Sequence, residues 1–116
     1  MNPILPLAIY TPDVEPHVFN NRVYLYGSQD KRDGTRYCEL DYICYSSPIN
    51  DLINWRYEGI IYKKTQDPAN LDGKHDLYAP DVVEVKGMYY LFYFLESIDH
   101  ICVAKANNPV GPFEYY

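Results

Sequence analysis

Two aspartates, each placed directly after a proline and ahead of an apolar, aromatic run, constrain the fold of this chain most strongly. Asp81 opens a stretch that continues into the Tyr- and Phe-rich segment 88–94, and Asp13 precedes the similar segment 23–26. Runs rich in valine, tyrosine and phenylalanine favour β-strands. The sequence therefore predicts one strand-based unit that is used twice.

Further matches between the two halves occur in the same order along the chain. They lie 58 to 68 positions apart and are residues 13 and 81, segments 23–26 and 89–92, segments 41–44 and 99–102, Trp55 and Phe113, and Tyr57 and Tyr115. A repeat of this length with several short strands in each copy is typical of β-propeller blades. The alternative is a chance match, since apolar strands resemble one another easily.

We expect an all-β fold of two propeller blades, at about residues 13–65 and 77–116. The predicted strands are 18–27, 37–45 and 55–62 in the first blade, and 82–85, 88–94, 101–104 and 113–116 in the second. Asn20-Asn21 predicts a bulge or turn, and residues 49–53 have room for one helical turn. Because the first strand of each blade lines the central channel, Asp13 and Asp81 should converge on one axial pocket.

Charge and composition disfavour several other classes of protein. Ten basic against sixteen acidic residues give a net charge of −6, which argues against a nucleic-acid partner because phosphate backbones attract basic surfaces. Three cysteines without a C-x-x-C pair favour reduced thiols over a disulfide framework. The N-terminus lacks the features of a signal peptide, and no apolar run is long enough to cross a bilayer. We expect a cytoplasmic protein with no membrane partner.

Six short motifs resemble those of glycoside hydrolase family 43, in matching order and spacing. They are Asn2-Pro3-Ile4-Leu5, Pro12-Asp13, the Tyr-rich segment 23–28, Asp51-Leu52-Ile53-Asn54-Trp55, Tyr78-Ala79-Pro80-Asp81 and the segment 108–113. In the fifth motif a tyrosine stands where the family has tryptophan. The resemblance covers essentially the whole chain and implies a five-bladed propeller that cleaves arabinose- and xylose-containing glycans.

The resemblance also implies an inverting hydrolysis, in which a carboxylate base activates water and a carboxylic acid protonates the leaving oxygen. Asp13 would be the general base, and Asp81 would orient the acid and tune its proton affinity. Glu15 is a rival for the base, although an ungapped count from Tyr24 favours Asp13. Both aspartates have simple turn residues as the alternative. The acid itself would be a glutamate from a later blade, beyond this chain.

Other residues near the two aspartates are candidates for binding substrate. Tyr78 would offer an aromatic platform for a sugar. His17 is a candidate for lining the pocket, with an ordinary surface histidine as the alternative. The three histidines lack the spacing of a zinc site. Some family members hold a metal ion in the channel, but the sequence shows no ligand set for it, and no cofactor is expected.

About 58 residues per copy give only two of five blades, so we expect a fragment of a longer enzyme that is inactive by itself. Its partner would be an oligosaccharide, and its exposed sheet edges would permit self-association. Two alternatives stay open. One is a non-catalytic sugar-binding or structural β-module, and the other is a related five-bladed glycoside phosphorylase.

Overall fold

The computed structural model describes residues 2–116, which form two four-stranded antiparallel sheets. The strands of the first sheet are β1 (Glu15–Phe19), β2 (Arg22–Gly27), β3 (Tyr42–Pro48) and β4 (Arg56–Tyr62). Those of the second sheet are β5 (Leu77–Val85), β6 (Met88–Leu95), β7 (Ile101–Ala106) and β8 (Glu114–Tyr115). In both sheets each strand pairs with the next one in sequence. The prediction of an all-β fold with two similar sheets is confirmed.

The only helical element of residues 2–116 is a three-residue 3-10 turn, Lys64–Gln66, in the connection between the sheets. No helix there is long and apolar enough to cross a membrane.

The segment predicted as one strand, 18–27, is a hairpin of two strands. Asn20 and Asn21 form its turn, and both have positive φ, 49° and 59°. Asparagine tolerates this left-handed conformation, and two such residues in succession suit a two-residue hairpin turn. The turn lets β1 run antiparallel to β2, and both strands contact β5, the first strand of the second sheet.

The second predicted strand, 37–45, is displaced toward the C-terminus, because β3 begins only at Tyr42. The preceding residues are held in a loop instead. Cys38 has a positive φ of 57°, and its backbone N–H donates a hydrogen bond to Asp30 Oδ1 at 2.7 Å. The Cys38 N–H is thus satisfied by a side chain and does not need a neighbouring strand as its acceptor.

The motif at residues 51–55 forms a turn rather than the predicted helical turn. Asp51 Oδ1 accepts hydrogen bonds from the backbone N–H groups of Ile53 and Asn54. The Trp55 indole N–H donates to the Leu52 carbonyl at 3.1 Å, and its ring packs on the outer apolar cluster of the first sheet. Trp55 is therefore a packing residue of the first sheet.

The two sheets pack face to face over the main apolar core. The first sheet contributes Tyr24, Tyr26, Tyr42, Cys44 and Tyr62, and the second contributes Val82, Tyr89, Leu91, Tyr93, Leu95, Cys102, Ala104 and Phe113. We call the core-facing surface of the first sheet its leading face and that of the second sheet its trailing face. Tyrosines of the first sheet thus lie on a mixture of aliphatic and aromatic side chains of the second, and Tyr42 and Tyr62 both contact Tyr93.

The strand pairings show that the two copies are aligned differently in their third strands, β3 and β7, from what sequence similarity predicted. Cys44 and Cys102 are 58 positions apart, but Cys44 pairs with Tyr26 whereas Cys102 pairs with Tyr93. Cys44 therefore lies on a leading face and Cys102 on a trailing face. The residue equivalent to Cys44 is Val103, at an offset of 59. A shift of one residue moves a side chain to the opposite face of a sheet, so sequence similarity alone misplaced these cysteines.

A buried hydrogen-bond chain joins the two sheets. The hydroxyls of Tyr62 and Tyr93 lie 2.9 Å apart, and the Tyr93 hydroxyl donates to Asp67 Oδ2. All three residues are almost completely buried. Burial raises the pKa of Tyr62 to about 12, so its hydroxyl stays protonated. Since unpaired buried polar groups are costly, this chain stabilises one arrangement of the two sheets.

Glu58 on β4 gives a prediction for acid stability. Hydrogen bonds from Arg56, and then from Ser46, hold the pKa of Glu58 below its ordinary value of 4.5 although burial opposes this. Its contribution to the free energy of unfolding is therefore complete above pH 4.5 and is lost as the pH falls through the lower, folded pKa. The Glu58→Gln variant should lose stability at neutral pH but show a shallower decline in acid. Urea denaturation above and below pH 4.5 measures both, and parallel declines would contradict the prediction.

Candidate functional site

The first strands of the two sheets, β1 and β5, lie next to each other, and the chain entering β1 is firmly fixed. The Thr11 hydroxyl donates to the Ser28 carbonyl at 2.7 Å, and the Ser28 hydroxyl donates to the Pro12 carbonyl at 3.1 Å. Asp13 follows this double anchor with a positive φ of 52° and an exposed side chain. The backbone is thus fixed just before Asp13, which precedes β1, and the Asp13 carboxylate is open to solvent.

Three side chains meet where β1 and β5 approach each other. One ligand atom each from Glu15, His17 and Asp81 lies within 4.8 Å of the other two. His17 Nε2 and Asp81 Oδ1 are hydrogen-bonded at 2.6 Å, across 64 positions of sequence. The predicted convergence therefore takes place between Asp81, His17 and Glu15, and Asp13 is not a member of this group.

His17 is held in a fixed orientation on its strand. Its ring stacks on Phe19, with centroids 5.8 Å apart and planes 13° apart, and it also approaches Tyr26. Its Nε2 is already engaged by Asp81. Only Nδ1 remains for another partner, so the predicted contact of His17 with substrate would have to use that atom.

The pairing registers identify Glu15 as the structural equivalent of Asp81. Glu15 pairs with Tyr26 on β2, and Asp81 pairs with Phe92 on β6. Tyr26 and Phe92 are themselves equivalent at the offset of 66 that relates β2 to β6. The sequence suggested Asp13 as the equivalent of Asp81, but the equivalent residue is Glu15, two positions later. Glu15 is recognised as the equivalent residue only from its pairing with Tyr26, and the linear sequence does not reveal strand pairing.

The backbone before Asp81 departs from regular strand geometry. The pairing of β5 with β6 shifts between Tyr78 and Asp81, and Ala79 has a positive φ of 28°. Such bulges redirect side chains and are common next to active sites. Asp81 consequently keeps a side chain that is 61% exposed while its Oδ1 reaches His17.

Tyr78 lies at the same end of the sheets as Asp13. Its ring stacks on Phe94, with centroids 6.3 Å apart and planes 18° apart. Burial, and then the nearby Glu96 carboxylate, raise the pKa of Tyr78. The phenol is therefore neutral at physiological pH, and its ring is half-buried. Such a ring can present both an aromatic face and a hydroxyl to a polar ligand.

The buried carboxylate of Asp76 links two loops at this end of the sheets. Asp76 Oδ1 contacts Lys64 Nζ at 3.1 Å, and Asp76 Oδ2 lies 3.4 Å from an Arg36 guanidinium nitrogen. The Asp76 side chain is completely buried. The loop between β2 and β3 is thereby tied to the connection that leads into Tyr78 and Asp81.

A family model ties these features to known proteins. The model described as glycosyl hydrolases family 43 matches residues 1–116. The chain belongs to this family. Glu15 on β1 and Asp81 on β5 thus lie in two blades of a family 43 propeller, and the motif-based resemblance is confirmed.

Relatives in family 43 are much longer than this chain. A xylosidase/arabinosidase of Thermoclostridium stercorarium is 52% identical over 99% of this chain and 24% of its own length. Xylosidase/arabinosidase 43A of Humicola insolens is 32% identical over 90% of this chain and 35% of its own length. The chain therefore spans between about a quarter and a third of these relatives.

A solved structure shows the same fold. It is a family 43 β-xylosidase/α-arabinofuranosidase from a compost microbial metagenome, in complex with xylotriose and in a calcium-free form. It is 28% identical to this chain with a TM-score of 0.80, and the match covers all of this chain and 37% of that one.

The donor atoms around Asp81 are too few to enclose a channel ion. Glu15, His17 and Asp81 offer one imidazole nitrogen and two carboxylates, a grouping that the sequence had not revealed. Ca²⁺ takes about six to eight oxygen ligands. These three side chains therefore do not supply enough oxygen ligands for calcium by themselves. Their proximity is explained by the hydrogen bond between the His17 imidazole and the Asp81 carboxylate.

Proposed function

We propose that this chain supplies two blades of a longer hydrolase that removes arabinofuranosyl or β-xylosyl ends from plant-type oligosaccharides with inversion. The observation that carries the proposal is the convergence of acidic side chains from the first strands of both blades, in a chain that belongs to family 43. Its relatives are named as xylosidase/arabinosidases, which supports this choice of sugars.

In this proposal Asp13 is the general base. Its anchored backbone and exposed carboxylate suit a group that must take a proton from water at a fixed position. Asp81 orients the acid that a later blade provides and raises its proton affinity by like-charge repulsion. His17 holds Asp81 in place, and Glu15 adds a second negative charge beside it.

The sugar itself would lie on the side of Tyr78 and Asp81. A groove of about 300 Å³ lies beside Asp81 and is lined mainly by apolar side chains, including Phe92, Phe94 and Ile101. Apolar walls with a few polar groups are typical of ligand sites. Tyr78, whose ring stacks on the groove residue Phe94, is the proposed platform for a pyranose or furanose face.

Expression of the chain by itself and of the complete reading frame that contains it tests the proposal. The 116-residue chain should not release p-nitrophenol from aryl arabinofuranosides or aryl xylosides, since it lacks the general acid, whereas the complete product should. Turnover by the short chain would contradict the assignment of the acid to a later blade. A complete product that binds xylo-oligosaccharide without cleaving it would identify a non-catalytic module, and cleavage that requires phosphate would identify a phosphorylase.

A further inference from the structure

The backbone that enters the first strand of each sheet has the same unusual conformation at equivalent positions. Asp13 and Ala79 both have positive φ, 52° and 28°, and they are 66 positions apart, the offset that relates β2 to β6. The hairpin turns of the two sheets repeat their positive φ values at this same offset, at residues 20–21 and 86–87. Each blade therefore places one left-handed residue two positions ahead of the acidic residue on its first strand.

A side-chain hydroxyl holds the peptide next to each of these two left-handed residues. The left-handed conformation is unfavourable for residues other than glycine, so surrounding contacts must maintain it. Ser28 donates to the carbonyl of Pro12, just before the first left-handed residue, at 3.1 Å. Tyr42 donates to the carbonyl of Tyr78, just before the second, at 2.5 Å. Because each bond fixes a peptide plane beside the left-handed residue, it restrains the φ of that residue.

The two donors are themselves firmly held. Ser28 is fully buried, and its own carbonyl accepts the hydrogen bond from Thr11 at 2.7 Å. This close approach requires a glycine at position 27, since a Cβ added to Gly27 would lie 2.1 Å from the Thr11 hydroxyl. Tyr42 is fully buried as well, and its ring packs edge-on against Tyr93 between the sheets. Both hydroxyls are therefore fixed reference points for the strand entries.

We propose that these two buried hydroxyls belong to positioning residues of the hydrolase. The Ser28 hydroxyl sets the place of the Asp13 carboxylate, since it holds the peptide that leads directly into Asp13. The Tyr42 hydroxyl sets the place of the Asp81 carboxylate, since it reaches from the first sheet to the bulge that precedes Asp81. The inference rests on the proposed function, in which these two carboxylates serve as the base and as the group that orients the acid.

Steady-state kinetics of Ser28→Ala in the complete hydrolase test the first assignment. The variant should lower kcat by about tenfold to a hundredfold with little change in KM, because a base displaced by about an ångström loses its alignment with the attacking water. In an Asp13→Asn background the same change should lower kcat no further, because the base is already absent. The matched control is Ser47→Ala, which should leave kcat unchanged. Ser47 is equally buried, and its hydroxyl holds the Asn54 carbonyl at 3.0 Å at the other end of the sheet.

Tyr42→Phe tests the second assignment in the same way. It should lower kcat by about tenfold in the complete hydrolase, and it should have no further effect once Asp81 is replaced by asparagine. Tyr62→Phe is the matched control, since it also removes a buried tyrosine hydroxyl that bonds across the sheets, to Tyr93, but leaves the entry to β5 intact. Its kcat should be that of the unmodified hydrolase.

Nuclear magnetic resonance of the chain gives a readout that does not depend on activity. A positive φ brings the amide and Hα protons of one residue close together, which gives a strong intraresidue Overhauser cross-peak. The cross-peak should be strong at Asp13 and Ala79, weaken at Asp13 in Ser28→Ala, and weaken at Ala79 in Tyr42→Phe. Near-ultraviolet circular dichroism verifies folding. Where Ser28→Ala does not fold, Thr11→Val removes the other hydrogen bond of the same anchor and keeps the shape of the side chain.

The outcomes separate this proposal from the proposed function. Folded variants that keep both cross-peaks at full strength would overturn it. So would a Ser28→Ala change that lowers kcat equally with and without the Asp13 carboxylate, since the hydroxyl would then act on stability alone. A complete product that cleaves no glycoside would refute the proposed function, and the cross-peaks would still decide whether the two hydroxyls set the strand entries.

Discussion

Replacement of Asp13 by asparagine in the complete hydrolase is expected to lower kcat by about 10²–10⁴-fold. The amide has nearly the same shape as the carboxylate but cannot accept a proton from the attacking water. Because a general base acts in the transition state and not in substrate binding, kcat and kcat/KM should fall together while KM changes little. Steady-state kinetics with an aryl arabinofuranoside measure the effect.

Glu15→Gln is the matched control, since it makes the same carboxylate-to-amide change two residues further along the chain, at the first residue of β1. Glu15 lies beside His17 and Asp81, whereas Asp13 follows the anchored segment that precedes β1. We therefore expect a smaller loss of kcat than for Asp13→Asn. The opposite ranking, with both variants folded, would transfer the role of base to Glu15.

Tyr93→Ala is expected to have the largest effect on stability. Tyr93 is 1% exposed in the core between the sheets, and truncation of a buried aromatic ring costs about 3–5 kcal/mol. The change also removes the partner of the Tyr62 hydroxyl and of Asp67, and each buried group left unpaired adds about 1–3 kcal/mol. The total free energy of unfolding of a domain is about 5–15 kcal/mol. The variant should therefore be largely unfolded, as judged by urea denaturation and near-ultraviolet circular dichroism.

Two variants separate the contributions to this effect. Tyr93→Phe keeps the ring and removes only the hydroxyl, which leaves the Tyr62 hydroxyl and Asp67 unpaired at about 1–3 kcal/mol each, so its loss should be clearly smaller than that of Tyr93→Ala. Tyr37→Ala truncates a tyrosine that is 77% exposed and should change the free energy of unfolding very little. A Tyr93→Ala variant as stable as Tyr37→Ala would contradict the proposed packing of the two sheets.

Local sequence signals were sufficient to predict much of the fold. The Tyr-rich runs at 23–26 and 89–92 are the second strands of the two sheets, and their offset of 66 is retained in the structure. Asn20-Asn21 forms the turn that its residue types favour. Such features depend on residues that are close in sequence, and the single chain therefore reveals them.

The arrangement around Asp81 depends on contacts that the linear sequence does not encode locally. His17 and Asp81 are 64 positions apart and belong to different sheets. The equivalence of Glu15 with Asp81 follows from strand partners, and a bulge after Tyr78 alters the count of residues just before Asp81. Because one residue of slip exchanges the two faces of a strand, motif spacing identified the region but assigned the wrong pair of equivalent acids.

The contact between His17 and Asp81 is the most direct test that the first strands of the two blades converge. A nuclear Overhauser spectrum of the unmodified chain should show a cross-peak between the His17 Hε1 proton and the Asp81 Hβ protons. Cross-peaks from the His17 ring to Phe19 and Tyr26, its neighbours within the first sheet, provide the internal control. If these two appear while the cross-peak to Asp81 is absent, the acidic side chains of the two blades do not meet and the site described here is wrong.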